Sequence, residues 1–141
     1  MSFMEWSDEY SVGLEKMDAQ HRQFFAFINT MHQAFTEGRG EEELKQILEE
    51  LSDYAAFHFQ SEEKLLSDIN YPLKLNHRDE HETFSKRIHE FSSKYASGNF
   101  AITLPLMDFM KKWLCGHILG SDKKYGRHIL DSNMTLNNGG N

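Results

Sequence analysis

One cysteine, Cys115, stands in the 141 residues, so no intramolecular disulfide can form. That fits a reducing compartment. Only two prolines occur, Pro72 and Pro105, so little interrupts a helix. No apolar run approaches the roughly 20 residues that span a bilayer. The opening Met1-Ser2-Phe3-Met4-Glu5-Trp6 lacks a basic stretch followed by an apolar one, which leaves no signal peptide to read. The expected location is therefore the cytoplasm, with no membrane contact. Basic residues are outnumbered, 15 against 22 acids, for a net charge of -7. Such a surface argues against nucleic acid and anionic lipid as partners. A Gly-rich phosphate loop, an H-E-x-x-H motif and an EF-hand loop are all missing.

What is present in excess is histidine, 8 residues, and phenylalanine, 11. Hydrophobic residues at 39% and charged residues at 26% are ordinary for a globular chain, so the histidines need a local reason. The length suits one domain with its own core.

The periodicity predicts an all-α chain. Residues 1–17 form an arm without a sustained period. Asp18 is the expected N-cap of a first helix whose stripe is His21, Phe24, Phe25, Ile28, Met31, His32 and Phe35. Gly38 and Gly40 are expected to end it. Glu41-Glu42-Glu43 opens a second helix, with Leu44, Ile47, Leu48, Leu51, Tyr54, Ala55, His58, Glu62 and Leu65 inward. Asn70-Tyr71-Pro72 closes it. The third stripe reads His77, His81, Phe84, Ile88, Phe91, Tyr95 and stops at Gly98. Thr103-Leu104-Pro105 opens the fourth, whose stripe Leu106, Met110, Trp113, Leu114, His117 ends near Gly120. A short helical segment follows from about Asp122 to Leu130. Four amphipathic helices with short links imply an antiparallel up-down four-helix bundle, with an N-terminal arm and a short C-terminal helix. The domain is expected to span residues 1–130, with 131–141 a frayed polar tail.

Every stripe carries histidine. His21 and the pair His77, His81 lie near helix starts, and His58 and His117 near helix ends. In an up-down bundle those positions share one end, so five imidazoles converge. Glu62 follows His58 by one turn on the same face. Asp122 follows His117 by five residues, a rotation of roughly 140° on a regular helix. It reaches the same centre only if the helix loosens or breaks, near Gly120 and Ser121. Five neutral imidazoles and two carboxylates are too many donors for one metal ion and a good set for two. Buried carboxylates need compensating charge, which cations supply. Mixed nitrogen and oxygen donors suit iron, zinc or manganese, and the lack of thiolate argues against a structural zinc site. His32, on the face of His21 but roughly 16 Å deeper, is left out, as are His89 and His128. Ferritin-like di-iron enzymes carry Glu three residues before a ligand histidine, and no histidine here has one.

From Trp6 to about Tyr125 the chain resembles the hemerythrin family, most closely its bacterial branch, the bacteriohemerythrins. The carriers are Trp6, Asp18-Ala19-Gln20-His21, His58-Phe59-Gln60-Ser61-Glu62, His77-Arg78-Asp79-Glu80-His81 and His117-Ile118-Leu119-Gly120-Ser121-Asp122. These match the family spacings H-x3-E, H-x3-H and H-x4-D. The resemblance implies two iron ions with an oxo or hydroxo bridge. His77, His81 and His117 would ligate one, His21 and His58 the other, and Glu62 and Asp122 would bridge them. The iron with two histidines would keep an open position for O2. Phe59, Trp113, Leu114, Ile118 and Tyr125 match positions that line the O2 pocket. The function so implied is reversible O2 binding by a non-enzymatic carrier or store, expected to be a monomer and to serve an O2-consuming enzyme. An O2 or redox sensor module, or an enzyme acting on peroxide or nitric oxide, are the alternatives.

Overall fold

The computed structural model describes residues 3–99 and 101–132. Four long helices account for most of them: α1 Glu15–Thr36, α2 Gly40–Asp68, α3 Lys74–Ala96 and α4 Thr103–Gly116. A π-helical turn, His117–Asp122, joins α4 without a break to α5, Lys123–Asp131. The arm before α1 contains a single 3-10 turn, Asp8–Tyr10. Helix α1 packs on α2 and α4, and α3 packs on the same two, which is the up-down bundle expected from the stripes. Of the expected polar tail 131–141, residues 133–141 lie outside the described residues.

The three links between long helices close in one way. Gly38 (φ 78°), Asn70 (φ 54°) and Gly98 (φ 96°) each adopt the left-handed conformation just past a helix end. Arg39, Tyr71 and Asn99 then donate backwards to the carbonyls of Ala34, Leu66 and Lys94 at 2.7–2.9 Å. This is the Schellman closure, which satisfies the last carbonyls and reverses the chain. Gly40 does not end α1, as the sequence suggested. It opens α2, pressed so close to Phe35 that an added Cβ would sit 3.3 Å from its Cα.

Helix α1 begins four residues earlier than expected, at Glu15, and Asp18 is not its N-cap. The Asp18 carboxylate is buried and accepts from Ser11 Oγ at 2.6 Å and from the Val12 N–H at 2.9 Å. A carboxylate in the first turn thus ties the arm down instead of capping the helix. Further up the arm, the Met4 N–H and carbonyl pair with the Asn29 amide at 2.8 and 2.9 Å. Trp6 meets Phe25 edge-on and lies under the Arg22 guanidinium. The arm also crosses α5 at Gly126, where an added Cβ would meet the Val12 carbonyl at 2.2 Å.

Two apolar clusters result. The larger fills the bundle from Met31, Leu44 and Phe91 to Phe59 and Ile118. Its fully buried leucines each contribute about 1.5–3 kcal/mol. The smaller one, Val12, Met17, Leu66, Tyr71, Tyr125 and Ile129, closes the other end beneath arm and α5. Most stripe residues are buried, but Phe35 is 41% exposed, Leu65 is half-buried where Leu66 is fully buried, and His32, Tyr54, Tyr95 and Trp113 are half-buried. The histidines and carboxylates lie between the clusters.

Candidate metal centre

Helical periodicity delivers most of the centre. His58 and Glu62, and likewise His77 and His81, are one turn apart and present one face. His117 and Asp122 are five residues apart, and the π-helical turn spans both. Its wider i→i+5 hydrogen bonding brings residues five apart onto one face. The loosening that Asp122 requires is therefore present, and the helix does not break.

All seven side chains come together, each at most 5% exposed. Glu62 sits in the middle and divides them. Its Oε1 faces the Nε2 atoms of His77 at 2.7 Å, His81 at 2.9 Å and His117 at 3.8 Å. Its Oε2 faces those of His21 at 3.4 Å and His58 at 3.6 Å. Asp122 repeats the division: Oδ1 lies 3.0 Å from His77 and 3.1 Å from His117, and Oδ2 lies 3.1 Å from His21. Two groups able to hold a cation follow, Glu62 with His77, His81 and His117, and Glu62 with His21 and His58.

Among the described residues, five buried side-chain atoms form no hydrogen bond: His21 Nδ1 and Nε2, His117 Nε2, and both oxygens of Asp122. All belong to this centre. Buried polar atoms left this way cost a kcal/mol or more each. Donor atoms within ion-pair distance but without hydrogen-bond alignment suit a cation between them, and the residues fit a pair of metal ions.

Three imidazoles are steered from behind. His58 Nδ1 donates to Gln20 Oε1 at 2.5 Å, His81 Nδ1 to Glu63 Oε2 at 2.9 Å, and His117 Nδ1 to Glu80 Oε1 at 2.6 Å. In the neutral ring each bond would leave the Nε2 lone pair free for a metal ion at the centre. The pattern steps around the bundle, because each acceptor lies on the helix before its histidine. Ser121 closes the series by donating to Glu80 at 2.7 Å. Tyr125, fully buried, donates its phenol to Glu62 Oε2 at 2.7 Å.

The charge demand is visible without metal. Burial opposes ionisation of Glu62 and Asp122, yet the surrounding histidines hold both carboxyls well below their ordinary range. Burial also opposes charge on His21 and His77, but Asp122 and Glu62 outweigh it and push both up to about 9. His117 is raised for the same reason. Burial dominates at His58 and pushes it down to about 3. In the metal-free centre the two buried carboxylates thus favour positive charge on the imidazoles beside them.

Residues 12–129 match the family model described as "Hemerythrin HHE cation binding domain". The chain belongs to the hemerythrin family. A protein named Bacteriohemerythrin from Stenotrophomonas maltophilia is 30% identical over 129 residues, covering 92% of this chain and 83% of that one. Another of that name from Clostridium acetobutylicum is 31% identical, covering 85% of this chain and 96% of its own. A solved wild-type hemerythrin superposes with a TM-score of 0.83 at 28% identity, over 89% of this chain and 97% of that one.

Of the apolar residues named beforehand from the hemerythrin resemblance, Phe59, Trp113 and Tyr125 contact side chains of this centre. Phe59 stacks on His81 at 3.9 Å and Trp113 on His117 at 4.4 Å, both rings of the three-histidine group. Leu114 and Ile118 are buried in the large cluster, and Tyr125 belongs to the small one. Phe24, absent from the sequence reading as a site residue, packs edge-on against His58 at 5.3 Å. Gln20, Glu63, Glu80 and Ser121 were also missed. Each directly adjoins His21, Glu62, His81 or Asp122 in sequence, and that adjacency was the available signal. The histidines set aside do stand apart. His32 stacks on Phe3, His128 packs on Tyr71, and His89 is exposed. Cys115 contacts Tyr10, with Sγ 3.6 Å from the phenol oxygen.

Proposed function

We propose that the chain is a non-enzymatic, monomeric cytoplasmic protein that binds O2 reversibly at two non-haem irons, as a carrier or store. The observation that carries this reading is the division of the two Glu62 oxygens between three histidines and two. His77, His81 and His117 would hold one iron, His21 and His58 the other, and Glu62 and Asp122 would bridge. When bound, two ferrous ions supply the electrons and the free coordination position that reversible O2 binding uses. The two-histidine group offers one protein donor fewer, so the free position would fall there.

The remaining residues protect that chemistry. The small cluster and Phe24 keep the centre dry, so a neutral diatomic enters more cheaply than an anion. Tyr125 keeps its proton, because burial and the charges of Glu62 and Asp122 hold its phenol well above the ordinary value. It thereby remains a donor that orients Glu62. The family membership and the names of the similar proteins support the same reading.

The deciding measurement is iron content with an optical spectrum on protein reduced without air and then exposed to it. The expected result is two irons per chain and a visible charge-transfer band that appears with O2 and disappears on its removal. Direct oxidation of two irons without an oxygenated form would turn the reading to sensing or catalysis. One iron, or zinc alone, would end the paired-site reading.

A further inference from the structure

The hydrogen bonds behind the histidines differ in charge between the two halves of the centre. His81 and His117 donate to carboxylates, Glu63 and Glu80. His58 donates to a neutral amide, Gln20, and His21 Nδ1 has no partner. The three-histidine group is therefore backed by two anions and the two-histidine group by none. A carboxylate that accepts an imidazole N–H raises electron density on the opposite nitrogen and strengthens it as a donor, whereas an amide fixes the ring without that gain. Burial sharpens the contrast. Gln20 is 8% exposed and His58 1%, where a unit charge would act at low screening. The Glu63 and Glu80 side chains are 35% and 43% exposed, so they carry charge at little cost. Ser121 further fixes Glu80 through both oxygens.

We infer that Gln20 is a positioning residue that fixes His58 while keeping the two-histidine metal position electron-poor, and so sets the reduction potential of the pair. The inference rests on the proposed iron pair. An electron-poor metal at the free position gives up electrons reluctantly, and the reduced centre persists when no O2 is bound. The neutral side chain at position 20 is then a specific requirement, since glutamate would fill the same space and accept the same hydrogen bond.

The test is an anaerobic redox titration of iron-loaded chains, read by the optical spectrum, with iron content measured on every sample. Gln20→Glu is expected to retain two irons and to lower the midpoint. At the wild-type midpoint the oxidised-to-reduced ratio should rise about tenfold, equivalent to about 59 mV for one electron. Glu63→Gln and Glu80→Gln should move the midpoint the other way, and they carry the test if Gln20→Glu does not fold. Two irons retained with all midpoints within about twofold of wild type would overturn the inference and leave the iron pair standing. A wild-type chain that loads fewer than two irons would overturn both.

Discussion

At one end of the bundle Met31, Leu44, Leu48, Ile88, Phe91, Leu106 and Met110 meet as a dry apolar core. At the other end the same four helices bring together five histidines and two carboxylates at equal burial. The apolar end gains from leaving water in any buffer. The polar end gains only when something positive occupies it, a proton or a metal ion. One set of helices thus combines an end that specifies the fold with an end that depends on its contents.

The sharpest way to separate the ends is His77→Ala. Its Nε2 faces both Glu62 and Asp122, so the variant should fall from two bound metal ions to one or none while remaining helical. Metal analysis beside far-ultraviolet circular dichroism would settle it, and full occupancy would refute the ligand assignment. Leu44→Ala probes the opposite end. It should cost about 2–5 kcal/mol in denaturant unfolding with metal content unchanged. A loss of metal there would show that the two ends are coupled.

Gly126→Ala strikes the seam between arm and α5. The close approach to the Val12 carbonyl should displace the arm, at about 1–3 kcal/mol, seen as a lower thermal midpoint and faster proteolysis near Val12. A smaller effect comes from pH in the metal-free chain. His21 and His77 are raised to about 9 in the fold, so their contribution is complete below about 6.5 and is lost as pH rises through about 9. The metal-free chain should lose stability over that window, whereas the metal-loaded chain should not. A flat profile for the metal-free chain would contradict the charge balance described above. Smallest of all is His32→Ala, which should leave metal content unaltered, since its ring packs on Phe3 away from the centre.

The two ends also differed in how far sequence revealed them. The apolar end was legible because burial follows the helical period, and the stripes of α2, α3 and α4 needed almost no revision. The metal-facing atoms were legible for the same reason, as His58 with Glu62 and His77 with His81 keep one-turn spacing. Asp122 breaks that period, and only the need for a loosened helix could be stated. The supports Gln20, Glu63 and Glu80 lie beside the inward face and read as surface positions. Their role arises from the neighbouring helix they meet, which local spacing does not encode. Asp18 misled for a related reason: a carboxylate at a helix start has two possible sets of N–H partners, and the arm supplied the closer ones.

The stepwise support of the histidines has a consequence in time. His58, His81 and His117 depend on acceptors 38, 18 and 37 residues earlier in the chain. A chain made from its N-terminus has each acceptor synthesised before the ring it will orient. The last donor, Asp122, arrives only after all five imidazoles exist. The group of His21, His58 and Glu62 is thus complete once residue 62 is made, whereas the three-histidine group and the second carboxylate wait for His117–Asp122, the segment that also closes the bundle.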